Sequence, residues 1–244
     1  MKCKTVFSLV TLTAAAALLG AESGPKDAVT SAASKLAQQD SYSWKTTTEF
    51  GNFTGTSEGK TQKDGLVEFN MTFGDNTTQA FLKNGKGAVK IGDQDWKSLA
   101  ELASATSGER GRGQFMLRRF QNFKAPATEA GDLAGKTKEI NKDGDAYASD
   151  LTETGAKELL AFGGRRGANA AEPKNAKGSV KFWLKDGLLS KYELKLSGTM
   201  TFNGEDRDVD RTTTVEIKDV GTTKIDVPAA AKEKLAAAAP EAPK

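Results

Sequence analysis

The chain of 244 residues contains no histidine and a single cysteine, Cys3. Without imidazole there is no Ser-His-Asp or Cys-His nucleophile system and no His-ligated metal. With one thiol there is no internal disulfide and no zinc ribbon. Charge of one sign is lacking too: 35 Lys+Arg face 32 Asp+Glu, a net +3, which is not the strongly basic character of a general nucleic-acid binder. Long apolar runs are confined to the N-terminus. Hydrophobic residues make up 37%, and with 25 glycines the composition is that of an ordinary globular protein with a packed core. The chemistry left to the chain is that of carboxylates, Lys, Tyr, Ser/Thr and Arg.

The N-terminus has the layout of a secretory signal peptide. Lys2 and Lys4 precede an apolar segment from Val6 to Leu19, and Leu19-Gly20-Ala21 offers a small residue at a cleavage position. This apolar segment is shorter than the roughly 20 residues that span a bilayer. Residues 1–21 are therefore expected to be removed, leaving a thiol-free, exported, periplasmic or extracellular protein that depends on its core alone for stability. Residues 22–235 read as a single domain and 236–244 as a disordered Ala/Pro tail.

Within the domain, Val29, Ala32, Ala33 and Leu36 fall at helical spacing. The period then switches to two. Tyr42, Trp44, Thr46, Thr48 and Phe50 alternate with polar residues, as do Val67, Phe69, Met71 and Phe73, with turn residues between the runs. Short strands are expected at 78–83, at 88–91 and around Trp96. Helices are expected at 27–38, 97–103, 114–123 (ended by Pro126) and 153–162, and further strands at 137–141 and 146–151. The C-terminal third has the clearest pattern. Three alternating runs around Phe182, around Tyr192 to Phe202 and around Val209 to Ile217 are separated by Asp186-Gly187 and Asn203-Gly204, the signature of an antiparallel meander. Pro228 stands at a plausible first helical position before a short helix over 229–235.

About nine to eleven antiparallel strands, each with one apolar face, must curl and be covered. The expected fold is α+β: a strongly curved antiparallel sheet forming an unclosed half-barrel, with helices covering its concave side. Such a sheet can enclose an apolar cavity, although a filled core has the same periodicity.

This order of elements resembles the outer-membrane lipoprotein carrier superfamily, with its LolA/LolB-like carriers and LppX-type lipid-binding proteins. The segments that carry the resemblance are Gly178 to Leu194 and Asp210 to Thr223, the second being similar to a closing strand with its glycine turn. The resemblance implies noncovalent carriage of a lipid, acyl chain or lipoprotein in the cell envelope, without catalysis. The chain departs from the lipid-anchored members, because Ala21 stands where a lipidated cysteine would be. No residue is matched to the family's lid arginine.

Trp44, Phe69, Phe73, Tyr192, Leu194, Leu196, Met200 and Phe202 are the candidates to line a cavity or, alternatively, to fill a core. Arg211 shares the parity of Val209 and Val215. Pointing inward it would need a carboxylate or an anionic head group; at the rim its head would be solvated. Trp183, between Lys181 and Lys185 on the opposite face, reads as an exposed contact or as the seat of a packed helix. Arg110, Arg112, Arg118, Arg119, Arg165 and Arg166 read as solvated surface, with a basic patch for an anionic partner as the sharper alternative. Asp206, Asp208 and Asp210 share a strand face, but Arg207 and Arg211 sit among them, so no metal is expected. The expected protein is a monomer that binds an apolar ligand and has no enzymatic activity, no cofactor and no nucleic-acid partner. An envelope protein is a further expected partner. The rival readings are an envelope structural or interaction protein with a filled core and a hydrolase using paired carboxylates.

Overall fold

The computed structural model describes residues 24–73, 76–105, 112–162, 172–202 and 204–236. Residues 1–23 and the last eight residues lie outside them, as do Arg110, Arg165 and Arg166. Helix α1 (Pro25–Ala37) has Pro at its start and buries Val29, Ala32, Ala33 and Leu36, the stripe read from the sequence. Six strands follow: β1 (Ser41–Phe50), β2 (Phe53–Gln62), β3 (Val67–Phe73), β4 (Asn76–Lys83), β5 (Lys86–Ile91) and the short β6 (Lys97–Ser98). Three helices come next: α2 (Leu99–Ala105), α3 (Arg112–Gln121) and α4 (Pro126–Gly135). The chain continues with β7 (Asn141–Asp143), β8 (Ala146–Asp150), α5 (Glu153–Phe162), β9 (Lys174–Lys185), β10 (Leu188–Phe202), β11 (Glu205–Lys218) and α6 (Ala229–Ala236).

All eleven strands form one antiparallel sheet in the order β6-β5-β4-β3-β2-β1-β11-β10-β9-β8-β7. Two meanders are thus joined by the pairing of β1 with β11, and β6 and β7 are left as the two edges of an open half-barrel. This topology explains the roof. The chain leaves the sheet at one edge and re-enters at the other, so the segment carrying α2, α3 and α4 has to pass from edge to edge. Its apolar residues pack on the inner face: Leu99, Phe120, Ala127, Ala130 and Leu133 belong to one core with Trp44, Phe69, Phe182 and Tyr192. Helix α1 packs on α4 and on β10, and α5 packs on β9 and β10.

Local chemistry sets the hairpins. Asn84-Gly85 and Asp186-Gly187 have positive φ at both residues, the two-residue turn whose twist suits paired strands. Gly59 has a different reason. A Cβ there would lie 2.1 Å from the Trp44 indole, so β2 gives up a side chain to let Trp44 lie flat on the sheet.

Several boundaries differ from the sequence reading. Residues 126–135 form a helix that the reading had missed, since Pro126 opens α4 rather than merely ending the previous helix. The strand expected at 137–141 begins only at Asn141, and Thr137 makes an isolated bridge to Leu151. The short strand expected around Trp96 is β6, which begins one residue after it. Pro228 stands just before α6, its carbonyl accepting the Lys232 N–H at 3.0 Å.

Candidate functional site

The inner face is an aromatic layer with charges set into it. Trp44 stands 5.9 Å from Tyr42 and stacks on Phe123 at 6.0 Å, and Phe69 meets Phe120 at 6.3 Å and Phe123 at 5.8 Å between ring centres. Sheet and roof therefore touch through rings. Two polar contacts tie the same elements together. The Ala127 N–H donates to the Tyr42 hydroxyl at 3.4 Å, and the Tyr192 hydroxyl donates to the Glu129 carboxylate.

Glu129 is a half-buried carboxyl on α4, within electrostatic reach of two arginines, Arg119 of α3 and Arg211 of β11. Burial raises its pKa, and the Tyr192 hydrogen bond and the two guanidinium groups oppose that rise. Burial likewise lowers both arginines, against the pull of Glu129. The Tyr192 phenol is pushed well above its ordinary value by burial and by Glu129, and burial raises Tyr42 to about 12. Arg119 lies over the Phe69 ring, 5.3 Å from its centre. Among the described residues no contact ion pair joins Glu129 to either arginine, which act on it through space. The Arg211 Nε is buried without a hydrogen-bond partner among the described residues.

Trp44, Phe69, Tyr192, Leu194 and Leu196 are all buried in the inner core, and Met200 is half-buried against it. Arg211 is on the same face, directly opposite Leu196. Phe73 and Phe202 end their strands, and their side chains lie outside the described residues. Arg119 departs from the solvated-surface reading of the arginine group. It turns inward to Phe69, while the neighbouring Arg118 is exposed. Helical spacing carried the signal, because Arg119 lies four residues before Phe123, which packs against the core. Glu129 was missed together with its helix. Trp183 is half-buried on the outer face under the Lys191 ammonium, 4.7 Å from the ring centre. Asp206 is bound by Lys174 at 2.8 Å and Asp208 by Thr199 at 2.8 Å, as partners within the β9–β11 end of the sheet.

The inner face changes character along the strands. Thr46, Thr48, Gly55 and Thr213 are small and half-buried, and beyond them come Phe50 and Phe53. Phe50 is 46% exposed and Phe53 40%, the two exposed large hydrophobic side chains among the described residues. A separate cleft of about 180 Å³ lies behind Tyr42, between the end of α1, the β2–β3 turn and the start of α4.

No family model matches the sequence. No curated protein matches it. Among solved structures, it is similar to a DUF1329 family protein from Desulfovibrio piger at 11% identity and a TM-score of 0.30, over 81% of this chain and 92% of that one. It is also similar to a chain of the Pseudomonas aeruginosa MucA/MucB complex at 11% identity and a TM-score of 0.25, over 90% of this chain and 99% of that one. At these TM-scores neither likeness bears on the function. Among the described residues no helix is long and apolar enough to cross a membrane.

Proposed function

We propose that the protein is an exported, non-enzymatic binding protein of the cell envelope. It takes up an apolar chain, as a lipid, acyl chain or lipoprotein, between the inner face of the open sheet and its helical roof. Export rests on the N-terminal pattern of Lys2, Lys4 and the apolar segment to Leu19. The observation that carries the binding reading is the setting of Arg119, Arg211 and Glu129 into the aromatic layer where sheet and roof meet. Stability alone gives no reason for such an arrangement, because replacing buried ionic groups by apolar ones is often neutral or stabilising. The small residues beside Phe50 and Phe53 offer a route out of the core past two exposed phenyl rings, and the roof rests on rings that a chain could replace.

Native mass spectrometry of the protein purified from its own envelope tests this reading, with displacement of a fluorescent fatty acid as the second measurement. A co-purifying acyl-containing mass, or saturable displacement, is expected. The absence of both overturns carriage. The close stacking of Trp44 on Phe123 at 6.0 Å would then favour an envelope interaction protein with a filled core.

A further inference from the structure

We infer that the ligand is an amphiphile with a single anionic head group, a carboxylate or a phosphate, held by Arg211 with Arg119 beside it, its tail leaving along Phe50 and Phe53. The inference rests on the carriage reading and deepens it. One rung of the sheet places the parts in line. Leu196, Arg211, Phe50 and Phe53 are direct neighbours across β10, β11, β1 and β2, so their side chains share the inner face. Along that rung the environment runs from the buried Leu196, through the half-buried Arg211, to two exposed phenyl rings. An ionic head beside an apolar path is the pattern an amphiphile matches.

The local charge count points the same way. Two guanidinium groups face one carboxylate, so the cluster keeps an excess positive charge whether or not Glu129 holds a proton. The buried Arg211 Nε has an unused N–H, the donor that a carboxylate or phosphate oxygen fits. Elsewhere the same sheet shows what a purely structural buried charge looks like. Glu68, on the outer face, is bound by Lys60 at 2.9 Å, Asn70 at 3.2 Å and Gln79 at 3.4 Å. The inner cluster has no such completeness.

Calorimetric titration of the full mature chain with dodecanoate, dodecyl phosphate and dodecanol, each below its micelle threshold, tests the inference. Both anions are expected to bind at least about tenfold tighter than the alcohol, the scale of one charge-assisted hydrogen bond. The tighter of the two identifies the head as carboxylate or phosphate. Arg211→Met is expected to abolish the preference for the anions over dodecanol, and Arg211→Lys to keep part of it. Equal affinity for all three probes overturns the head-group inference while leaving carriage standing, as does a folded Arg211→Met with its preference intact. Binding of none of the three overturns both. If Arg211→Met does not fold, the wild-type comparison and Arg211→Lys decide.

Discussion

Strands β4 and β5 are covered by helices on both faces, and the two covers are built differently. On the inner face Ala80, Leu82 and Val89 join a core that also holds Trp44, Phe69 and Phe120, with Arg119 over Phe69 and the Glu129 cluster in the same layer. On the outer face Phe81 and Ala88 form a small apolar cluster with Ala231 of α6, packed by Trp96, Ile225 and Val227. That outer patch is pinned at its margin by conventional means. Ser98 and Glu101 form a capping box at α2, with hydrogen bonds of 2.6 and 3.1 Å, and Lys234 of α6 reaches Glu101 at 2.6 Å. Every polar group named there has a partner. The inner layer holds an orphan donor and an uneven charge count. The outer cover has the completeness of pure stabilisation, and the inner one, with its unpartnered donor, does not.

Four measurements would break or sharpen this contrast. The largest effect is expected from Trp44→Ala, which removes the ring joining Gly59 below to Phe123 above. It should cost about 4 kcal/mol in denaturant unfolding and abolish binding of an apolar probe. Phe81→Ala, fully buried on the outer face, should cost about 3 kcal/mol and leave probe affinity unchanged in the folded protein. A loss of affinity there would couple the two faces and end the contrast. Ser98→Ala removes the α2 cap and should cost about 1 kcal/mol, read as a lowered melting temperature, again without touching binding.

The smallest expected effect is a slope. Burial raises the Glu129 carboxyl above its unfolded value. Between those two values the native protein holds a proton that the unfolded chain has released, so stability should fall as pH rises through that window. Glu129→Gln has no proton to hold and should flatten that part of the stability curve. An unchanged slope in the variant would place the charge of Glu129 outside the folding balance.

Much of this architecture was legible in particular residues. The alternation from Tyr42 to Phe50 and the Asp186-Gly187 turn announced paired strands with one dry face, and Val29 to Leu36 announced a helix on that face. Helix α4 was not legible as a helix. Its apolar residues are mainly alanines, Ala127, Ala130 and Ala134 with Leu133, which give a weak periodic signal, and Pro126 reads equally as a stop or a start. Missing that helix concealed Glu129. Arg119 was concealed by its company, since one arginine among several in a row reads as surface until packing selects the one turned inward. The parity of Arg211 was readable, but its relation to Phe50 depends on β11 returning to lie beside β1, a pairing between strands far apart in sequence.

The sequence by itself determined the period of each strand and most helices, because side-chain alternation and turn chemistry act over a few residues. It also ruled out histidine and disulfide chemistry by composition. Only the tertiary structure decided that β1 and β11 meet and that the roof crosses from edge to edge. Those are choices of chain topology, made by the shared burial of distant apolar faces, and local spacing carries no record of them. The charged cluster under the roof follows from that topology, since Arg119, Glu129, Tyr192 and Arg211 come from four elements that only the tertiary fold brings together.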